Sequence, residues 1–173
     1  MGQRRVVAAH QGGKSIVTED RSDLTNAFQA IPGFNPVVLW QTPPSPALQP
    51  EPAPEPGQNV VPAAGGTTLF VVTFPPDSVM MSSSFNPAEA GAESMRRLPG
   101  LAETFEMENP GMHRTATVDY DIVLEGEIWV EFDDRKDVHL KAGDVMIQHG
   151  TRHAWRNKGQ QNAKLAFILL GAD

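Results

Sequence analysis

The sequence predicts an all-β domain, either a sandwich or a barrel built from short strands. Short β-prone runs recur along the chain, polar or glycine-containing turns separate several of them, and one segment alone has a convincing helix pattern. No repeat with a solenoid or propeller period is present. The length of 173 residues predicts a single domain over residues 1–173, long enough to bury one core.

The N-terminal part is expected to contribute additional strands. Residues 4–9 and 14–19 are β-prone and flank the turn residues Gln11-Gly12-Gly13, and residues 37–41 form a third β-prone run. We therefore interpret residues 1–41 as N-terminal strands that extend the sheets of the domain.

Residues 42–66 interrupt this pattern with eight prolines. Proline cannot donate a hydrogen bond to a sheet and favours polyproline II. We interpret the segment as an extended surface loop or semi-rigid spacer. A ligand for an SH3-like domain is a less favoured interpretation, and a contact arm of a structural or assembly protein is the least favoured.

Residues 67–173 are expected to form the barrel. Residues 67–74 are a strong β-prone run that two prolines close. The later predicted strands are 112–118, 119–125, 127–132, 136–140, 144–149, 152–156 and 164–170. Turn signals separate several of them, at Glu125-Gly126, Asp133-Asp134, Ala142-Gly143 and 157–159.

One helix is predicted between the first barrel strand and the later ones, over residues 87–97. Asn86 can cap it, Pro87 suits the first helical position and Glu89 lies in the first turn. A shorter helical piece is expected around residues 101–106.

Composition argues against several classes of partner. The formal net charge is −7 and no run of Lys or Arg stands out, so we expect neither nucleic acid nor an anionic membrane as a partner. No segment approaches the length of a membrane span, and the apolar patch at residues 6–9 is too short for a signal peptide. The absence of cysteine excludes disulfides and thiolate metal sites, and is compatible with the expected cytoplasmic location.

Histidines and aspartates carry the candidate chemistry. Alternate side chains of a strand share a face, so an unbulged strand would place four side chains together: His113, Thr115, Thr117 and Asp119. His153 and Trp155 share a face of a later strand. Two histidines and one carboxylate that converge inside a barrel would fit the triad that holds non-haem Fe(II) with open positions.

The segments that bear these residues resemble the two motifs of the cupin superfamily. In the first motif, His113 falls on the first His, Thr115 on the second His and Asp119 on the Glu, and Gly126 follows after six intervening residues. Thr115 cannot replace an imidazole as a strong ligand, and Asp119 is one methylene shorter than Glu. The first motif lies at residues 111–126.

The second motif, at residues 143–157, begins with Gly143-Asp144-Val145 and ends with His153, three residues and Asn157. Its usual Pro-x-Gly centre is replaced by Gln148-His149-Gly150 and is one residue shorter. The sequences of both motifs are similar to those of small single-domain (monocupin) proteins of bacteria and of cupin-domain proteins from fungal natural-product clusters. The fungal proteins are usually labelled oxidoreductases by association.

This resemblance implies a jelly-roll β-barrel with extra N-terminal strands and a short helical insertion near residues 87–106. It also implies a small-molecule ligand and a homodimer, in which the N-terminal strands could reach across the interface. A divalent transition metal (Fe, Mn, Ni or Zn) would be held by His113, Asp119 and His153, with no organic cofactor.

We expect a metal-dependent enzyme of oxidoreductase, dioxygenase, isomerase or lyase type. Asp121 or His149 would move protons, and four side chains would line the substrate pocket: Thr115, Thr117, Trp155 and Trp129. The alternative is a metal-free, non-catalytic cupin that binds or senses a small molecule, which the loss of the second His supports.

Several alternatives stay open at the level of single residues. Asp121 either faces inward, where burial would raise its pKa and suit a general acid or base, or is turned outward by a bulge. His149 is either a fourth ligand or proton shuttle, or a surface residue. Asp119 could pair with Arg114 or Arg152, and Tyr120 is expected to point into a core layer.

Overall fold

The computed structural model describes residues 2–48, 52–133 and 136–173 of the protein. Strands dominate these residues, and their bounds are β1 (Gln3–Gln11), β2 (Lys14–Leu24), β3 (Asn35–Thr42), β4 (Thr67–Phe74), β5 (Thr117–Glu125), β6 (Glu127–Glu131), β7 (Asp137–Lys141), β8 (Val145–His149), β9 (Ala154–Arg156) and β10 (Ala163–Gly171). A five-stranded antiparallel sheet has the order β3-β4-β10-β5-β8, and a three-stranded antiparallel sheet has the order β7-β6-β9.

The two sheets share one apolar core. Phe70, Val123 and Leu165 contribute to it from the larger sheet, and Ile128 and Val130 contribute from the smaller sheet. Each of these side chains is almost completely withdrawn from water, which is the main favourable contribution to folding. Two antiparallel sheets packed on a common core confirm the prediction of an all-β, jelly-roll type of barrel.

The first two strands form a separate hairpin. Within the described residues β1 pairs with β2 and neither joins a larger sheet, whereas β3 forms one edge of the five-stranded sheet. The buried Arg5 ties the hairpin down, because its guanidinium donates to the carbonyl of Leu39 at 3.0 Å and lies 5.8 Å from the Trp40 ring. The expectation that the strands of residues 1–41 extend the sheets is therefore correct for β3, whereas β1 and β2 pair only with each other among the described residues of a single copy.

The predicted helix is confirmed with its predicted bounds. Helix α1 spans Pro87–Arg97, and the Asn86 side chain caps it by accepting hydrogen bonds from the amides of Ala88 and Glu89. A short 3₁₀ helix, Ala102–Thr104, takes the place of the second helical piece. In the described ranges, no helix is long and apolar enough to cross a membrane.

A buried carboxylate fixes α1 to the chain before β3. Glu93 accepts hydrogen bonds from the amides of Gln29 and Ala30 and pairs with Arg97 at 2.9 Å. The pKa of Glu93 is lowered by these partners although burial opposes the charge. The helix is thus held in place by hydrogen bonds to a buried carboxylate as well as by apolar packing.

The Pro-rich segment at residues 42–66 was expected to be an extended surface loop or spacer. The Pro-rich segment is irregular where it is described, but its Val60 is buried in the core and its amide donates to the carbonyl of Pro99. Pro50 and the second residue of the predicted Asp133-Asp134 turn lie outside the described residues.

The predicted strand over residues 112–118 is wrong in most of its length, since His113 forms an isolated bridge and continuous pairing begins at Thr117.

Strand β5 alternates without a bulge along its pairing with β8, which runs from Val118 opposite His149 to Ile122 opposite Val145. Its inward side chains are Thr117, Asp119, Asp121 and Val123. Tyr120 therefore points outward and is 41% exposed, so the prediction that it belongs to a core layer is wrong. The bulge that would have turned Asp121 outward is absent from this pairing.

Candidate functional site

Two histidines from distant parts of the chain meet at the end of the barrel. His113 and His153 form an antiparallel bridge in which each backbone amide donates to the other's carbonyl at 3.0 Å. Their ring centroids lie 4.4 Å apart, and the two residues are 9% and 3% exposed. The backbone therefore sets the separation of the two imidazoles.

The hydrogen bonds of these rings define their tautomers. Nδ1 of His113 lies 3.1 Å from the carbonyl oxygen of Gly111, and Nδ1 of His153 lies 2.9 Å from that of Thr151. A carbonyl oxygen only accepts, so each Nδ1 carries the proton and each Nε2 keeps a lone pair. Such a tautomer suits a metal ligand or a base.

Both histidines are held neutral. Burial lowers the pKa of His113, and the hydrogen bond to Gly111 opposes this only in part. The pKa of His153 is lowered to about 4, mainly by burial and to a smaller extent by the neighbouring His113. At neutral pH, neither ring needs to lose a proton before it donates its Nε2 lone pair.

A buried glutamine connects this pair to a carboxylate. The Gln148 amide nitrogen donates to Asp121 Oδ2 at 2.8 Å and lies 3.3 Å from His153 Nε2, and the Gln148 oxygen accepts from the Thr151 hydroxyl at 2.7 Å. An amide nitrogen has two protons, so it can serve Asp121 and His153 together. Sequence reasoning missed Gln148 because it was compared with a turn position; its register opposite Asp119 on β8 was the available signal.

The two aspartates of β5 are buried and poorly satisfied. Burial raises the pKa of Asp121 to about 7; the Gln148 hydrogen bond opposes this rise and the charge of Asp119 adds to it. Burial also raises the pKa of Asp119, against a hydrogen bond from Thr117. Oδ1 of each carboxyl is buried and has no hydrogen-bond partner among the residues that the structure describes. Because an unpartnered buried polar atom is costly, the two aspartates are candidates for a functional role.

Two buried threonine side chains precede these aspartates in the chain. Thr115 Oγ1 and Thr117 Oγ1 lie 2.8 Å apart, and both residues are buried. The position that the resemblance assigns to a second histidine is thus filled by a hydroxyl that pairs with its neighbour.

Aromatic side chains enclose the histidine pair. The Trp155 ring stands nearly perpendicular to the His153 ring at 5.8 Å and meets Phe167 of the core at 5.3 Å. On the other side, the Phe105 ring lies 4.6 Å from the His113 ring. Phe105 was also missed from the sequence, where it carried no recognisable motif.

An ion pair fixes the loop that carries Phe105. Arg152 donates to both oxygens of the neighbouring Glu106, at 2.5 Å and 2.6 Å, which is the bidentate geometry that arginine favours with carboxylates. Arg152 also pairs with Asp133. The alternative in which Arg152 neutralises Asp119 is therefore not the arrangement found.

Two predicted site residues lie elsewhere. Trp129 faces outward and stacks on His139 at 4.1 Å, because Ile128 and Val130 take the inward positions of β6. His149 is exposed at the end of β8, since Gln148 takes the inward position there. The predictions that Trp129 lines the pocket and that His149 moves protons are therefore corrected. Alternate side chains of a strand point to opposite faces, and both residues lie on the face away from the site.

The donor set fits a metal ion in part. The histidine pair offers two imidazole nitrogens, and Asp119 and Asp121 each have an unpartnered oxygen, which together are donors that Fe, Mn, Ni and Zn accept. However, the described ranges contain no group of three or more His, Asp or Glu side chains close enough to hold one ion. The group against His153 Nε2 is the Gln148 amide rather than a carboxylate. The structure therefore brings together two of the three predicted ligands.

Comparison with known proteins points to one family. The family model described as "Cupin domain" matches residues 106–169, which include the residues of the site described above except Phe105. Oryzines biosynthesis cluster protein J of Aspergillus oryzae is 44% identical over 64 residues, 36% of this chain and 36% of that protein. The cupin-domain-containing oxidoreductase virC of Hypocrea virens is 34% identical over 62 residues, 34% of this chain and 32% of that protein.

A solved structure is similar over nearly the whole chain. The Schizosaccharomyces pombe Cnp3 cupin domain aligns with 99% of this chain and 89% of its own, at 11% identity and a TM-score of 0.47. The alignments with the two fungal proteins, in contrast, span about a third of those proteins' length.

Proposed function

Since the chain carries a cupin domain at residues 106–169 and belongs to the cupin superfamily, we propose that it is a metal-dependent enzyme of oxidoreductase type that acts on a small organic molecule. His113 and His153 are the ligands in this proposal, and Asp119 remains the proposed third ligand. The fungal relatives named as cupin-domain oxidoreductases support the reaction class.

The observation that carries this proposal is the state of the histidine pair. Histidines that bind metals almost always donate the other ring N–H to a carboxylate or backbone carbonyl, which fixes the tautomer and orientation of the ring. His113 and His153 both have this arrangement, and both are neutral. A fixed ring orientation and a neutral imidazole are what a metal ligand requires.

When bound, a divalent transition metal supplies Lewis-acid or redox chemistry. The chain itself supplies the surroundings. Trp155 and Phe105 exclude water from the two rings. Gln148 orients Asp121 by donating to its Oδ2, and Oδ1 of Asp121 is left as the atom that can take a proton from a substrate or return one. This arrangement is compatible with oxidation, isomerisation or elimination.

A specific observation favours a second candidate, a metal-free cupin that binds or senses a small molecule. The amide of Gln148 already lies against His153 Nε2, and Thr115 offers a hydroxyl where a third imidazole would strengthen metal binding. In this function, Gln148, His113 and Asp121 would hydrogen-bond a polar ligand.

Elemental analysis of untagged protein separates the two candidates. We expect near-stoichiometric Fe, Mn, Ni or Zn in the wild type, and loss of that metal in His113→Ala and His153→Ala. His10→Ala is the matched control, because His10 is exposed at the end of β1 and should leave metal content unchanged. Folded wild-type protein that takes up no metal, even with Fe(II) under anaerobic conditions, would favour the binding function.

A further inference from the structure

We propose that Phe105 is the movable side chain that closes the entrance to the histidine pair, and that its size decides which molecules reach His113. This inference rests on the proposed function in one respect, since it assumes that a small molecule must approach the two rings. It adds an entry route and a specificity-determining residue, and neither depends on which metal or reaction the site supports.

The side chains of the candidate site are closed off from solvent. His113, His153, Gln148 and the two aspartates of β5 are each at most 9% exposed. A small molecule can reach them only when a neighbouring part of the chain moves aside, as the loops that cover many active sites do.

Of the two aromatic side chains that enclose the histidine pair, Phe105 is the one that can move without disturbing the core. Trp155 lies on β9 and packs on Phe167, which is 5% exposed, so its displacement would open the core. Phe105 follows the short 3₁₀ helix Ala102–Thr104 and is 37% exposed. Its ring lies 4.6 Å from the His113 ring, so turning it outward uncovers that histidine with little loss of buried apolar surface.

The contacts that hold Phe105 in the closed position are open to water. The next residue, Glu106, accepts two hydrogen bonds from Arg152, and both of these side chains are about one-third exposed. Water competes for such an ion pair, so it adds little to the stability of the closed position. Met107 is 95% exposed and contributes almost no packing. This stretch therefore belongs to the parts of a structure that open locally without global unfolding.

The other end of the same loop is fixed, and it orients His113. Arg156 donates to the carbonyl of Pro110 at 2.9 Å. The carbonyl of Gly111 accepts from His113 Nδ1 at 3.1 Å. Opening at the Phe105 end can thus expose Nε2 of His113 while Nδ1 keeps its partner, so the ring stays oriented as a molecule enters.

A ring in this position selects molecules by size. A narrow molecule passes once the phenyl ring turns aside, whereas a bulky molecule also needs the loop to move, which breaks the contact between Glu106 and Arg152. The wider opening is less populated, so bulky molecules reach His113 more slowly. Shortening the side chain at position 105 should remove this discrimination, and enlarging it should increase it.

Acylation of histidines in chelator-treated protein tests this entry route. Diethyl pyrocarbonate and the bulkier di-tert-butyl dicarbonate both acylate an unprotonated imidazole nitrogen, and peptide mass spectrometry follows each histidine separately. The exposed His10 is the internal reference, because its rate corrects for the different reactivities of the two reagents. In the wild type we expect His113 to react more slowly than His10, and this lag to grow by about 10-fold or more with the bulkier reagent.

Variants at position 105 should change this selection. Phe105→Ala should make His113 react about 10-fold faster and with little dependence on reagent size, whereas Phe105→Trp should slow the reaction further. Met107→Ala is the matched control, because Met107 lies on the same loop but faces solvent, and should react like the wild type. Circular dichroism checks that each variant is folded, and the comparison of the two reagents in the wild type needs no variant.

Two results would overturn the proposal. Equal relative rates for the two reagents in the wild type, or an unchanged His113 rate in folded Phe105→Ala, would place the entrance elsewhere. Both results are obtained without metal, so they are independent of the metal content that tests the proposed function. A wild type that takes up no metal but shows the expected size selection would contradict the metalloenzyme and leave this entry route standing.

Discussion

Strands β5 and β6 are neighbours in the chain, joined by the tight turn at Gly126, and they follow opposite rules of burial. Strand β6 is ordinary: Ile128 and Val130 are buried, and Trp129 lies outside. Strand β5 is inverted, because its aspartates and threonine face inward while Tyr120 and its outward neighbours face solvent. The comparison teaches that alternation reveals a strand but does not identify which of its two faces is buried.

The turn between these strands requires a glycine at position 126. Gly126 has φ of +75°, and a Cβ at this position would lie 2.8 Å from the carbonyl oxygen of Asn162. A glycine is therefore needed to bring the ordinary strand and the inverted strand together around the same core.

The largest expected effect comes from giving β6 the polarity of β5. Val130→Asp should destabilise the protein by more than about 4 kcal/mol, because the new carboxylate would be buried among apolar side chains without a partner. Urea unfolding measures this loss. A loss below about 1 kcal/mol would mean that this interior tolerates charge anywhere, and the contrast between the two strands would lose its meaning.

The next effect comes from removing charge from β5. Burial raises the pKa of Asp121 from its ordinary value of 3.8 to about 7 in the folded protein, so the folded state binds the proton more tightly than the unfolded state. Wild-type stability is therefore full below pH 4 and decreases as pH rises towards 7. Asp121→Asn should remove this decrease, so that the variant gains about 1–3 kcal/mol over wild type between pH 4 and pH 8.

Thermal and urea unfolding in the presence of a chelator would measure this difference in metal-free protein. Glu103→Gln, at an exposed carboxylate, is the control and should show no such pH-dependent gain. A difference between Asp121→Asn and wild type that does not change over this pH range would contradict the assignment of a buried, protonated Asp121.

A third substitution acts on the connection between the aspartate and the histidine pair. Gln148→Glu would place a carboxylate where an amide now lies 3.3 Å from His153 Nε2. It would supply the missing acidic donor, and we expect metal affinity to rise by about 10- to 100-fold, the usual range for changes around a metal site. Competition titration with a chromogenic chelator measures this change. An unchanged or weaker affinity would argue against metal binding at the histidine pair.

The smallest expected effect is at the loop that covers His113. Arg152→Met breaks the ion pair with Glu106, in which both side chains are about one-third exposed, so global stability should change little. Hydrogen exchange of residues 105–112 should nevertheless accelerate, because the loop would lose its main polar anchor. Equal exchange in both proteins would show that the Phe105 contact alone holds the loop.

Features that depend on contacts between residues close in the sequence could be predicted, and features that depend on contacts between distant residues could not. Helix α1 could be predicted to the residue, because Asn86 and Pro87 determine its start through contacts within a few positions. The isolated bridge at His113 could not, because its pairing with His153 is a long-range contact that local β propensity does not contain.

The candidate site shows the same division. The motif spacing predicted that His113 and His153 would matter, and the structure joins them. Gln148 was not predicted as a site residue, because its inward orientation depends on the register of β8 against β5. Register is set by pairing across the sheet, and a shift of one residue would have exchanged Gln148 for His149.

The bridge between His113 and His153 has a consequence for protein engineering. Its two hydrogen bonds belong to the backbone, so the two positions stay neighbours whichever side chains they carry. A hydrogen-bonded antiparallel pair has a Cα separation of about 5.5 Å, which lies within the reach of a disulfide. In a chain that has no other thiol, cysteines at these two positions would form a reversible covalent staple across the mouth of the barrel.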